Sequence, residues 1–186
     1  STWEGGYRVP MMVRWPAAIA PGSVSNGIQT HYDLFTTLAS ATGMPDIAAQ
    51  LKASHRVHID GVNNLAHWTG AQAESTRQSV IYYNERELVA VRLGPWKGML
   101  KQRDGFFDAM RPSYNFFNLR MDPFEQRDGQ RSNKLALNKA WIGAEIMDLL
   151  AAHAATLKEF APRQVGASLR PDDPSNMKAP NSAPKP

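Results

Sequence analysis

Apolar positions change their spacing several times along the chain, and each change predicts an element. Residues 7–15 carry Val9, Met11, Met12, Val13 and Trp15 between Gly5-Gly6 and Pro16. A short apolar run bounded by turn residues predicts a buried strand, with Pro10 at its start or edge. Residues 17–27 hold Pro21-Gly22-Ser23 and Asn26-Gly27, the punctuation of a loop. Across residues 30–42 the spacing becomes helical, with Leu34, Phe35, Leu38 and Ala41 three or four apart. Thr30 and Asp33 stand in the capping-box relation, and Gly43 followed by Pro45 supplies the stop. A short helix over 47–52 and an extended stretch over 57–62 follow.

From residue 79 onward the period shortens to two. Residues 79–84, 88–93, 96–100 and 115–119 predict successive strands, the first two joined by Glu85-Arg86-Glu87. Val89, Val91 and Leu93 alternate with Ala90 and Arg92, the pattern of a half-buried strand. Short connections between short strands favour antiparallel pairing. Residues 141–160 return to helical spacing, with Ile142, Ile146, Leu149, Leu150, His153, Leu157 and Phe160 on one face. A sheet needs such a stripe to cover it. Residues 162–186 contain six of the 13 prolines and few large apolar residues, which predicts an extended or disordered tail.

Composition narrows the chemistry. The 186 residues include no Cys, which excludes a disulfide scaffold, a thiolate zinc site and a cysteine nucleophile in this chain. No run approaches the length of a membrane-spanning helix. The net charge is +4, and residues 162–186 carry about half of it, so the body is nearly balanced and gives little support to nucleic-acid binding. The chain opens at Ser1 and runs directly into Thr2-Trp3-Glu4-Gly5-Gly6, which reads as a cut within something longer. The compartment stays open between periplasm and cytoplasm for a bacterial source.

Several strings could carry chemistry. His55, His58 and Asp60 have the residue types of metal ligands, but an extended backbone would turn neighbouring positions to opposite faces. Polar residues entering a strand are the better explanation of them. His153, on the apolar helix face, reads as a satisfied boundary residue, and Asp172-Asp173 between prolines as a solvated pair. Arg77, Arg86, Arg92, Lys97, Lys101 and Arg103 lie among Tyr82, Tyr83 and Trp96, an arrangement that can stack on single-stranded nucleic acid. Glu85, Glu87 and Asp104 interrupt them, which favours a mixed-charge solvent face. No phosphate loop, serine-hydrolase elbow or zinc-protease helix is present. Glu4-Gly5-Gly6-Tyr7-Arg8 asks for an unusual backbone, and its bland reading is a tight turn held by a Glu4–Arg8 bridge.

In their order, five strings resemble the sulfatases. Glu4-Gly5-Gly6-Tyr7-Arg8-Val9-Pro10, with Trp15-Pro16 and Pro21-Gly22, is similar to their E-G-G-x-R-V-P…W-P…P-G segment. Asp33-Leu34-Phe35-Thr36-Thr37-Leu38 with Gly43 resembles a "D-l-f-P-T-l…G" helix, with Thr36 where Pro is usual. Ile59-Asp60-Gly61-Val62 resembles "I-D-G-v", and Ala90-Val91-Arg92 through Trp96-Lys97 resembles "a-v-R-x-g-x-y/w-K". Phe117-Asn118-Leu119 through Asp122-Pro123-Phe124-Glu125 is similar to "L-Y-D-L-x-x-D-P-x-E".

The resemblance implies the C-terminal portion of an arylsulfatase-like enzyme of alkaline-phosphatase-like α/β architecture. Residues 1–75 would be the end of the α/β core, 76–161 a small antiparallel sheet packed by a C-terminal helix, and 162–186 a proline-rich tail. The implied chemistry is sulfate-ester hydrolysis with a formylglycine and a divalent cation, usually calcium, both held by the N-terminal part of the same enzyme. A sulfated small molecule or saccharide would be the substrate, and an oligomer is compatible with it. Related phosphonate and phosphate-diester hydrolases share this region, and a non-catalytic binding or oligomerisation module is the rival of a different class. No catalytic or metal-ligating residue transfers to this chain. The nearest string to the C/S-x-P/A-x-R modification motif is Ser182-Ala183-Pro184-Lys185-Pro186, which ends in Pro rather than Arg. Glu4 and Arg8 are expected to position a loop, and Phe106, Phe107 and Tyr114 to line a substrate rim. His31 and Asp33 are expected to start the helix. The Leu34, Phe35 and Leu38 stripe is expected to lie exposed in this chain alone.

Overall fold

The computed structural model describes residues 1–105, 107–126, 134 and 137–161; the proline-rich stretch 162–186 lies outside them. Among the described residues six short strands form: β1 Ser79–Asn84, β2 Glu87–Leu93, β3 Trp96–Met99, β4 Lys101–Gln102, β5 Arg111–Pro112 and β6 Phe116–Asn118. The main sheet is antiparallel in the spatial order β1-β2-β3-β6, and β4 pairs with β5 as a separate ribbon. Glu85, at φ +57°, and Gly94, at φ +54°, turn the chain between β1, β2 and β3.

Register decides what each face of the sheet presents. Ala90 stands opposite Tyr82 and Met99, Arg92 opposite Val80 and Lys97, and Lys97 opposite Phe117. Directly opposed residues share a face, so these side chains point the same way. Trp3 and Tyr7 cover that face, with the Trp3 ring edge-on to Phe117 and the Tyr7 ring edge-on to Tyr82. The opposite face presents Val91 and Phe116 to Ile142 and Ile146 of a long C-terminal helix, Ala140–Glu159. Burying those two isoleucines contributes roughly 1.5–3 kcal/mol each. A Cβ added at Gly98 would sit 3.6 Å from Ile146 Cδ1, so the helix lies close against the backbone of β3.

The strand β2 is therefore covered on both sides, with Val89, Ala90 and Val91 all fully buried. Alternation predicted a half-buried strand. The second cover comes from the chain's own first seven residues, which strand periodicity cannot reveal.

In the first half, α1 spans Asp33–Ala41, α2 Ile47–His55 and α3 Leu65–Trp68; the C-terminal helix is α4. The predicted stop of α1 forms as a Schellman motif: Gly43 has φ +92° and donates to the Ser40 carbonyl, while Met44 donates to that of Ala39. At its start, Asp33 Oδ2 accepts both the Thr30 N–H and the Thr30 hydroxyl, so only the reaching-back half of the capping box is made. The helix buries its polar side, Asp33, Thr36 and Thr37, together with Ala39, while Phe35 and Leu38 are about half exposed. Hydrogen bonding explains this orientation. The Thr36 and Thr37 hydroxyls donate to the Val62 carbonyl, and Thr37 Oγ1 accepts the Asn64 N–H.

Residues 7–15 do not form the predicted strand. They run without regular structure, with Val9 60% and Met12 97% exposed. No strand among the described residues pairs with them, so their backbone has no ladder to join.

Candidate functional site

The Glu4-Gly5-Gly6 string folds into a single 3-10 turn in which Gly6 donates to the Trp3 carbonyl and Tyr7 and Arg8 donate to that of Glu4. Its carboxylate is buried against the sheet. Glu4 Oε1 accepts Arg92 Nη1 at 3.2 Å, and Oε2 lies 3.2 Å from Lys97 Nζ and accepts the Tyr82 hydroxyl at 3.1 Å. Lys97 is fully buried and also meets Glu125 Oε1 at 2.8 Å and the Thr2 carbonyl at 3.3 Å. Its ammonium stands 4.8 Å from the centre of the Tyr82 ring. Glu125 Oε2 accepts the main-chain N–H of Glu4, which closes the cluster.

Local folding delivers Glu125 to this place. The turn at Asp122-Pro123 lets Glu125 donate to the Asp122 carbonyl, with Glu125 itself at φ +52°. Asp122 Oδ1 holds the Gln126 N–H at 2.9 Å. Two carboxylates and two cations thus converge from three distant parts of the chain. At an effective dielectric near 20, each contact is worth about 4–6 kcal/mol. Desolvation costs several kcal/mol per ion, so the cluster gains little net stability and mainly fixes geometry. Burial, followed by the Glu4 charge, pushes the Tyr82 hydroxyl well above the ordinary tyrosine range, so it stays a donor.

A second buried pair sits at the start of α1. Arg77 donates through Nε to Asp33 Oδ2 at 2.7 Å and through Nη2 to Oδ1. The same guanidinium reaches the carbonyls of Asp60 and Ser79, and Asp33 Oδ1 accepts the Val62 N–H at 2.9 Å. Burial alone would raise the Asp33 carboxyl. The Arg77, Val62 and Thr30 hydrogen bonds outweigh it and hold that carboxyl below its usual range.

The expected residues are placed as follows. Glu4 is buried, but it pairs with Arg92 and Lys97 rather than with Arg8, whose side chain is exposed. Phe107 and Tyr114 stand 90% and 82% exposed, and Phe106 lies outside the described residues. Their loop is tied to the chain beside the Glu4 turn. Thr2 donates to the Arg103 carbonyl, Arg103 donates to Thr2 Oγ1, and the Trp3 indole donates to Asp104 Oδ1 at 2.9 Å. Hydrogen bonds from Gln102 and Trp3 hold the Asp104 carboxyl below its usual range. A shallow groove of about 320 Å³ runs along the adjacent ribbon, lined by Glu87, Leu100, Lys101, Met110, Arg111 and Pro112.

His31 is exposed while Asp33 is buried at the helix start. His58 pairs with Asp60 at 3.2 Å, whereas the His55 ring lies against Ser54. Among the described residues no three His, Asp or Glu side chains are grouped to hold a metal ion. His153 Nε2 lies 2.7 Å from the Tyr83 hydroxyl, a satisfied boundary position. The mixed-charge solvent face is corrected: Arg77, Lys97 and Arg103 are buried, each among specific partners.

Sequence reasoning did not single out Lys97 or Glu125 as site residues. The signal was present for Lys97, which is in phase with Met99 on β3 and so points to the same covered face. Glu125 had no periodic signal, because a turn rather than a strand brings it in.

A family model described as Sulfatase matches residues 1–44. The chain is 34% identical over 116 residues to the N-acetylgalactosamine-6-sulfatase of Rattus norvegicus, covering 62% of this chain and 20% of that protein. It is 35% identical over 99 residues to an arylsulfatase of Hemicentrotus pulcherrimus, covering 52% of this chain and 16% of that one. The chain thus aligns with about a fifth of the length of these curated relatives. Among solved structures, the PsFucS1 sulfatase from Pseudoalteromonas sp. superposes with a TM-score of 0.66 at 23% identity, over 82% of this chain and 30% of that one. That likeness places the small antiparallel sheet and its helix within a sulfatase, alkaline-phosphatase-like fold.

Proposed function

We propose, from the premise that this chain is a C-terminal portion of the sulfatase family, that it serves a sulfuric ester hydrolase by holding one wall of the active site. The observation that carries this reading is the convergence of three separate family-like strings on one buried cluster. Glu4 comes from the E-G-G string, Arg92 and Lys97 from the R-x-g-x-w-K string, and Glu125 from the D-P-x-E string. Glu4 positions the N-terminal turn rather than reacting. Arg8, free of Glu4 and exposed, faces whatever adjoins that turn.

Residues 1–75 are read as the end of the α/β core and 76–161 as the small C-terminal unit. The exposed Phe35, Leu38, Val9 and Met12 fit a surface that packs against the N-terminal part of the same enzyme. Phe107 and Tyr114, on the loop tied to Thr2 and Trp3, form a rim for a sulfated small molecule or saccharide, where aromatic faces can stack on the leaving group. Sulfatases use a metal ion and a formylglycine. Where bound, the first would polarise the sulfate and the second, as its hydrate, would offer a nucleophilic oxygen. The described residues do not fit either group: no three His, Asp or Glu side chains are grouped among them, and the chain has no C/S-x-P/A-x-R string. Both are assigned to the N-terminal part, with calcium as the cation, as the resemblance to the sulfatases implies.

Peptide mass mapping of the whole gene product tests the reading. The expected result is a C/S-x-P/A-x-R peptide upstream of Ser1 whose first residue has been converted to formylglycine. A Thr or unmodified Ser nucleophile outside that motif would instead assign the protein to other phosphate-ester hydrolases.

A further inference from the structure

Lys97 is a charged residue where packing alone would accept Met. It is fully buried, and no apolar requirement explains an ammonium there. Its partners are arranged around the N-terminal turn. Glu4 offers Lys97 one carboxylate oxygen and Arg92 the other; Glu125 offers Lys97 one oxygen and the Glu4 N–H the other. Lys97 also donates to the carbonyl of Thr2, whose own N–H and hydroxyl are tied to the Arg103 backbone at the root of the aromatic loop. One ammonium thereby touches both the turn and the strap that joins it to the loop.

We infer that Lys97 and Glu125 are positioning residues that hold the Glu4 turn and the Phe107 loop in register with each other. The inference rests on the sulfatase reading for its catalytic consequence, though not for its mechanical one. Loss of the Lys97 ammonium leaves the Glu4 carboxylate with Arg92 and Tyr82 only, and the turn gains freedom to shift relative to the loop. A displacement of about 1 Å remote from reacting atoms can cost on the order of 100-fold in rate.

The test uses the whole gene product with Lys97→Met and with the charge-balanced pair Lys97→Met/Glu125→Gln. In the pair, the carboxamide oxygen introduced by Glu125→Gln still accepts the Glu4 N–H and no lone charge is left buried, so that variant is built to fold. Two readouts are taken at a temperature where circular dichroism shows each variant folded. Turnover of 4-nitrophenyl sulfate is expected to lose about 10-fold or more in kcat, with KM within about 3-fold of wild type. Amide exchange is expected to quicken about 10-fold in peptides covering residues 1–8 and to stay unchanged in those covering 140–159. Unchanged exchange at residues 1–8 overturns the inference, as does an unchanged kcat in an active enzyme. A wild type that turns over no sulfate ester would sink the sulfatase reading instead, and exchange would still decide whether Lys97 holds the turn.

Discussion

The Asp33–Arg77 pair gives a prediction whose size can be worked from its bonds. Asp33 is fully buried and accepts from Arg77 Nε, Arg77 Nη2, the Val62 N–H, the Thr30 N–H and the Thr30 hydroxyl. Asp33→Asn keeps the shape and one acceptor oxygen, but leaves the nearly buried Arg77 guanidinium without its counter-charge. Breaking a buried ion pair in this way costs about 3–5 kcal/mol. Arg77 retains the Asp60 and Ser79 carbonyls, which places the expected loss at the lower end, about 3 kcal/mol. Urea unfolding of the whole gene product, followed by tryptophan fluorescence, reads this as a lower midpoint with an unchanged slope. Adding Arg77→Met removes the stranded charge and is expected to recover at least half of the loss. The pH dependence has a fixed sign. Because the folded Asp33 carboxyl is held below its ordinary value, its contribution is complete above the unfolded value near 4 and fades as pH falls through the lower folded one. The gap between wild type and Asp33→Asn should therefore close in acid. A midpoint within about 0.5 kcal/mol of wild type at pH 7, the scatter of surface substitutions, would refute the reasoning.

Three further outcomes are expected. Gly61→Ala should cost about 1–3 kcal/mol by thermal or urea unfolding, because its Cβ would run into the Tyr32 carbonyl while its neighbours Asp60 and Val62 are held by Arg77 and Asp33. Phe107→Ala with Tyr114→Ala, both on exposed side chains, should leave the melting temperature unchanged and raise KM for a sulfated saccharide about 3-fold or more, measured by steady-state kinetics. Residues 1–161 expressed alone should self-associate and bind a hydrophobic dye, since Phe35, Leu38 and Met12 lie open. Phe35→Asp with Leu38→Lys should reduce both signals on size-exclusion and dye titration.

How legible the molecule was depended on which force shaped each part. Helix α1 and its Gly43 stop, the β1–β2 hairpin and the face of α4 bearing Ile142 and Ile146 follow from local periodicity and turn chemistry, and all were readable. The stripe of α1 was expected to lie open in this chain alone, and Phe35 and Leu38 are about half exposed; what was not readable is that hydrogen bonds between Thr36, Thr37 and Asp33 and residues 62–64 hold the polar side inward. The strand expected at residues 7–15 failed for a related reason: apolar content marks a segment as buryable, but a strand also needs a neighbour to pair with. At the candidate site, Glu4 was singled out as a special turn, yet its partner was taken to be the nearby Arg8. The actual partners, Arg92, Lys97 and Glu125, lie about 90–120 residues away, and a single sequence holds no signal for contacts of that range except phase along a strand.

Initial rates on a matched substrate set test most directly the proposal that this chain serves sulfate-ester hydrolysis. The whole gene product would be given 4-nitrophenyl sulfate, 4-nitrophenyl phosphate, bis(4-nitrophenyl) phosphate and a phenylphosphonate ester under identical conditions. The expected result is a kcat/KM that is highest for the sulfate ester and falls when Glu4 is replaced by Gln. A preference for the phosphate diester or the phosphonate, with sulfate turnover at background, would contradict it.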